Sequence, residues 1–401
     1  MINAIMKDAK KLAPKLAEWR RWFHRKPELS FAETETTKEI CRILSGLGFD
    51  GMKVGVSDVA TGVVVDLRGA SPGRVIALRA DIDALPITEE NDIEYRSQND
   101  GVMHACGHDA HIAMLLGAAA ILIGQKNEFA GTVRLIFQPS EEAYDGGAKP
   151  MIAEGVLDGV DAIAGIHVWQ PVESGVFAYT AGAAMASCDR FKITVRGCGG
   201  HGAYPHQTTD PIVAACSVVC QLQTIASREI DPLETGVITV GLITSGTANN
   251  IIPDIAVMEG TIRSLSPEVR SHIFEGVARV AECVAKAHRC SASLEIFNGY
   301  PPTVNDIPFV KRAVAIAKEI VGPSKVIEVT PTMGAEDMGF YLEKIPGCYL
   351  FLGIGNEDAG LVHPHHSSKF NVDESVLETG STYLAYLARS YLEDSASFNF
   401  I

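Results

Sequence analysis

The 401-residue chain is predicted to be an α/β protein: a large domain with a mainly parallel, mixed sheet flanked by helices, and a smaller α+β unit inserted into it. Three observations predict this. First, apolar, β-branched runs bounded by turn residues ("GVVVDLRG", "RVIALRAD", "TVRLIFQP", "VDAIAGIHVW") are interspersed with helical periodicities ("ETETTKEICRILSGLGF", "DAHIAMLLGAAAILIGQ"), the second with Asp109 placed to cap it. Second, the order changes at about residue 187. "RFKITVR", a helix opened by Asp210 and Pro211, "GVITVGLI", "IAVMEGTIR", a helix from Pro267 to about His288 and "ASLEIFN" spell β-α-β-β-α-β, the ferredoxin-like order. Third, after "GYPPTVND" the larger pattern resumes with a helix at 307–321, the strand "CYLFLGIG" and a helix from Glu374 to about Leu392. The expected domains are therefore 1–186 with 301–401, and 187–300 between them.

Composition narrows the function classes. A formal net charge of -15 with no basic block argues against nucleic acid and against an anionic membrane surface as partners. Residues 1–23 read as an amphipathic helix without a cleavage site, and the longest apolar stretch, Ile112 to Gly124, is too short to span a bilayer. A soluble, cytoplasmic protein is expected, with its nine cysteines mostly reduced and buried.

Two motif matches carry no chemistry. "GASPG" (Gly69–Gly73) fits G-x-S-x-G, but Pro72 follows the serine and has no N–H for an oxyanion; a hairpin turn is expected there. "GCGGHG" (Gly197–Gly202) fits G-x-G-x-x-G, yet Pro205 and Asp210-Pro211 delay the next helix, so a dinucleotide phosphate would meet no helix N-terminus.

The informative cluster is "MHACGHDAH", residues 103–111. Asp81 and Asp83 end one strand, Glu141 and Glu142 follow another, and His167 lies near the end of a third, all at the carboxyl edge where open α/β sheets bind ligands. Cys106 and His108 stand two apart just before a helix, and "HPHHSS" (His363–Ser368) adds a distant histidine source. Singly, each has a plain structural reading: a buried thiol, a solvated acidic turn, a core histidine, a surface loop. Together, four segments deliver thiolate, imidazole and carboxylate to one edge. More donors than one tetrahedral ion takes suggests two divalent ions sharing a bridging ligand.

"RADIDALP", "MHACGHDAH", "QPSEE", "GGHGAYPH", "TANNIIP" with "GTIR", "MGAEDMGFYL" and "HHSSKF" together resemble the metallopeptidase family of aminoacylases, hippurate hydrolases and plant auxin-conjugate (IAA-amino acid) hydrolases, over nearly the whole chain and in order. The resemblance implies a catalytic domain with two metal ions, zinc or manganese, and an inserted lid domain that also forms a homodimer, with a tetramer as a further option. It implies the ligands Cys106, His108, Glu142, His167 and His366, with Cys106 bridging. The family often has H-S-P where this chain has His366-Ser367-Ser368, so His365 remains an alternative.

Amide hydrolysis then distributes roles. Adjacent residues on an irregular segment point different ways, so Glu142 can bind metal while Glu141 serves as general base to the water. Asp83 is expected to orient a ligand histidine. The resemblance assigns the oxyanion donor to His201, reaching the partner subunit's catalytic domain. It also offers Asn250 and Arg263 for the substrate carboxylate, with a structural ion pair as the competing reading of Arg263. The expected substrate is a small N-acyl or N-aroyl amino acid, the runner-up a short peptide cleaved by a carboxypeptidase or dipeptidase using the same machinery. Two other classes are a Cys106 nucleophile with His108 as base, and a metal-bound protein that only binds. The first is disfavoured by a thiolate with little room on the same turn, the second by a retained general base.

Overall fold

The computed structural model describes residues 1–56 and 59–394. It divides into two compact units, Met1–Gly182 with Val304–Thr330 and Asp337–Ile401, and Ala183–Thr303 with Pro331–Glu336.

In the larger unit the described strands form an eight-stranded mixed sheet in the order Lys53–Val56, Val59–Arg68, Ala130–Gln138, Ser71–Asp81, Ala162–Glu173, Gly347–Gly355, Phe177–Tyr179, Val326–Glu328. The four central strands from Ala130–Gln138 to Gly347–Gly355 run parallel; Val59–Arg68 and Phe177–Tyr179 pair antiparallel to the two ends of this block, and the outermost Val326–Glu328 runs parallel to Phe177–Tyr179. The turn at Gly69 is not a hairpin. Ala130–Gln138 lies between the strands on either side of that turn, whose Gly69 and Ala70 N–H groups donate to Gly131 O and Phe129 O.

The helix His108–Gly124 is apolar on every side and buried along almost its whole length, as a helix enclosed by neighbours must be. It packs on the helices Ile2–Arg25 and Val376–Glu393. Gly117 permits the approach, since a Cβ there would lie 2.3 Å from Ser381 Oγ and 2.6 Å from Leu16 Cδ2. Asp109 does not cap this helix. Gly107 occupies the cap position, and the Asp109 carboxylate instead accepts from buried Arg20 at 2.7 Å and pairs with His24 at 2.8 Å.

The smaller unit is a four-stranded antiparallel sheet, ordered Gly236–Ser245, Ile255–Ser264, Cys188–Arg196, Ser291–Tyr300, with the helices Pro211–Thr224 and Pro267–Ala287 packed on it. Counted along the chain the strand order is 2-3-1-4, the ferredoxin-like arrangement. Asp210 caps its helix by accepting from the N–H groups of Ile212 and Val213. Its core gathers Phe191, Ile193, Val218, Leu222, Ile273 and Val277. The boundaries drawn at 187 and 300 fall a few residues inside those of this unit, and 331–336 belongs with it. Hydrogen bonds attach that segment: Ala186 N donates to Gly334 O, Arg263 Nη1 to Met333 O and Thr303 Oγ1 to Glu336 O.

Candidate metal centre

Register brings the donors together. Asp81 pairs with Gln138 and Arg79 with Gly165, so His167, two residues beyond Gly165, falls level with Asp81 at the carboxyl edge. The strand bearing His167 continues to Glu173, so this histidine is mid-strand rather than near the end. Between Cys106 and His108 the chain turns at Gly107 (φ +93), where a Cβ would stand 2.3 Å from Val168 Cγ2. Only glycine allows the cysteine loop to press so closely on the His167 strand.

Cys106 Sγ lies 3.6 Å from His167 Nε2, and His366 Nε2 lies 3.2 Å from Glu142 Oε1. His108 Nε2 is 3.9 Å from Glu141 Oε2 and 4.0 Å from Glu142 Oε1. Among the donor groups whose ligand atoms all lie within 4.8 Å of one another, two contain Cys106: Cys106/His108/His167 and Cys106/Glu142/His366. Cys106 is common to both.

The hydrogen bonds turn the right atoms inward. His108 Nδ1 donates to Asp83 O at 2.9 Å and faces Asp83 Oδ1 at 3.2 Å, which leaves Nε2 buried without a hydrogen-bond partner. His167 Nδ1 donates to Val168 O at 2.6 Å, so its Nε2 carries the lone pair toward Cys106. An orphaned, buried imidazole nitrogen among thiol and carboxylate donors fits a divalent metal.

Electrostatics point the same way. Burial disfavours a charged His108, yet Asp81, Asp83 and Glu142 outweigh it and push its pKa up to about 10, the mark of a site short of positive charge. Burial and the neighbouring imidazoles hold His167 well below its ordinary value, hence neutral and able to ligate. Burial, with Glu142 and Glu141, pushes the Cys106 thiol well up. A neutral thiol is a poor nucleophile, so this surrounding speaks against Cys106 attacking a carbonyl and makes its thiolate dependent on a cation.

His366 rather than His365 faces Glu142. His365 Nε2 accepts from Gln170 N at 3.2 Å, and its ring lies among Trp169, His167 and Phe370. His366 adopts φ +64, unusual for a residue with a Cβ and of the kind found where side-chain aim matters more than backbone ease.

Sequence reasoning passed over several residues here. His111 is held at both nitrogens, by Asp81 Oδ1 at 2.5 Å and by Val168 N at 2.9 Å, so it braces the His167 strand. Its signal was available: three residues after His108 on a helix, it shares a face with it. Arg79 links Asp81 and Asp337, each at 2.7 Å, beneath the site.

In the smaller unit, His201 is exposed in the short strand Gly200–His201, paired with Ile251. Asn250 O accepts from Gly202 N at 2.8 Å, so His201 and Asn250 are neighbours. Arg263 lies apart from them in register, opposite Val237 in the four-stranded sheet, and donates to a carbonyl rather than forming an ion pair.

The model of peptidase family M20/M25/M40 matches residues 77–390, and the chain belongs to that family. It is a hydrolase of the amidohydrolase and metallopeptidase class. It is 44% identical over 390 residues to thermostable carboxypeptidase 2 of Saccharolobus solfataricus, covering 97% of this chain and 98% of that protein. It is 43% identical over 287 residues to the N-acyl-L-amino acid amidohydrolase of Geobacillus stearothermophilus, covering 72% of this chain and 77% of that one. Among solved structures, the Bacillus subtilis YXEP protein, described as a dinuclear metal binding peptidase, superposes with a TM-score of 0.84 at 37% identity, covering 96% of this chain and 99% of that one.

Proposed function

We propose that the protein removes acyl groups from N-acyl amino acids, using two divalent ions held by Cys106, His108, Glu142, His167 and His366. The observation that carries this is the pair of donor triads meeting at Cys106. A thiolate among the proposed ligands favours zinc over manganese. When bound, the ions bring the pKa of water down to about 7 and polarise the amide carbonyl. Glu141 takes the proton from that water and passes it to the departing amine nitrogen, which leaves neutral. His201 donates a hydrogen bond to the oxygen that becomes negative, and Asn250 and Arg263 receive the substrate carboxylate.

Because His201 is exposed on the smaller unit, a homodimer in which it serves the partner's site is our reading of the assembly. The edge strand Gly236–Ser245, with Leu242 62% and Ile243 51% exposed, supports it as a self-pairing edge. The cysteines are free but not mostly buried as expected, Cys198, Cys216, Cys220 and Cys283 being exposed and Cys106, Cys290 and Cys348 buried; their freedom suits a reducing, cytoplasmic setting, and among the described residues no helix is long and apolar enough to cross a membrane.

The 44% identity to a carboxypeptidase favours one competing substrate, a peptide with a free carboxyl end. Hydrolysis of N-acetyl-methionine, hippurate, indole-acetyl amino acids and dipeptides, with and without a chelator, decides between them. Acyl amino acids should give the highest kcat/KM and the chelator should abolish turnover. Better dipeptide cleavage overturns the acyl reading. Turnover that resists chelation but is lost to a thiol reagent overturns the metal reading.

A further inference from the structure

The carboxylates at 141 and 142 depend on a residue that precedes them in a left-handed conformation. Ser140 has φ +57, is fully buried, and its hydroxyl has no hydrogen-bond partner. A residue with a Cβ held there costs conformational energy unless its surroundings enforce it. The enforcing contacts are on its peptide groups. Glu33 Oε1 accepts from Ser140 N at 2.8 Å, and Gly147 N donates to Ser140 O at 2.8 Å. The second Glu33 oxygen accepts from Thr61 Oγ1 at 2.7 Å, which fixes the carboxylate plane.

Glu33 is free for this because another residue does the work expected of it. It stands at the N-cap of the helix Thr34–Leu47, where a side chain can satisfy the first amides, yet it makes no cap. Glu28 accepts from Glu35 N and Thr36 N instead. Three residues before Glu33, Ser30 Oγ donates to Asp83 Oδ2 at 2.6 Å. Between the two anchors Phe31 is left-handed as well, at φ +62.

We propose that Glu33 is a positioning residue that grips the Ser140 N–H, holding the left-handed turn from which Glu141 and Glu142 diverge. This rests on the roles given above to those two residues. What the grip needs is an acceptor, not a charge. Burial and nearby Asp83 push the Glu33 carboxyl up to about 7, and its protonated form can still accept from Ser140 while donating to Thr61.

The test is a set of substitutions read by kcat, KM and the rate at which a chromophoric chelator strips metal. Glu33→Leu should lower kcat by about 10- to 100-fold with KM little changed, and speed the loss of one metal. Glu33→Asp, which keeps the charge but falls short of Ser140, should do the same and guards against a leucine variant that does not fold. Glu33→Gln should stay within about threefold of wild type with an unaltered pH profile, since its amide supplies the acceptor. Ser140→Gly should rescue both defective variants by roughly tenfold, because glycine adopts the left-handed turn unaided. Glu33→Gln as damaging as Glu33→Leu, a wild-type-like Glu33→Asp, or absence of rescue by glycine overturns the proposal. The metal-release arm reads the grip even if none of the N-acyl amino acids proves to be a substrate.

Discussion

Asp83 and His108 are joined twice, through the Asp83 carbonyl and through Oδ1, while Asp83 Oδ2 takes the backbone N–H of Glu142 at 2.9 Å. One buried side chain thus sets the aim of an imidazole and the path of a carboxylate. Asp83→Ala should weaken metal binding by about 10- to 100-fold. Equilibrium dialysis followed by elemental analysis would show it, and an unchanged metal content would remove Asp83 from this role.

Glu141 and Glu142 should separate cleanly. Glu141→Gln is expected to retain both ions while kcat falls by about 10²- to 10⁴-fold, whereas Glu142→Gln should lose metal too. His366→Gln should resemble Glu142→Gln, its partner at 3.2 Å. Metal analysis of purified variants checks this, and equal metal loss at 141 and 142 would show the roles to be misassigned.

His24 lies buried between Asp109 at 2.8 Å and Glu89 at 3.1 Å. Burial and Arg20 oppose its charge, but the two carboxylates prevail and its pKa is raised. Because the folded value lies above the unfolded one of about 6.5, the stabilisation is complete below that pH and fades as pH rises through the folded value. The Tm difference between wild type and His24→Gln should be widest near pH 6 and shrink on the alkaline side. A difference that is flat with pH, or grows with it, would mean His24 is neutral in the folded protein.

A composite site can be tested by complementation. Glu141→Ala and His201→Ala homodimers should each be nearly inactive. If subunits exchange freely, half the dimers are mixed and one of two sites in each is intact, so activity should return to about a quarter of wild type. Exchange proven by mass without recovered activity would confine His201 to its own chain or remove it from catalysis.

The fold was legible in periodicity and candidate donors in residue type, since few residues besides Cys106, His108 and the paired glutamates look out of place in their segments, while the full proposed ligand set came from the family resemblance. Supporting residues were hidden because they look ordinary. Glu33 reads as a helix-start acid and turns inward only because Glu28 caps in its stead. Asp109 reads as a cap, but three-dimensional proximity to Arg20, 89 positions earlier, decides its use. The turn at Gly69 reads as a hairpin because a strand from 130–138 cannot be seen sliding in between. Segment 331–336 belongs to the smaller unit through long-range hydrogen bonds with no local signature.

The order of strands in the larger sheet also bears on how the protein is made. Ala162–Glu173 has Gly347–Gly355 as its neighbour, and His366 lies later still. On a ribosome the smaller unit, almost all from one continuous stretch, can finish folding while the larger sheet still lacks a central strand. The edge presenting Cys106, His108, Glu142 and His167 therefore waits, partly built, for residues 347 onward. If these donors hold metal as proposed, the centre is complete only once His366 has been made, and a chain truncated before His366 should leave synthesis with a folded insert but an unfinished centre.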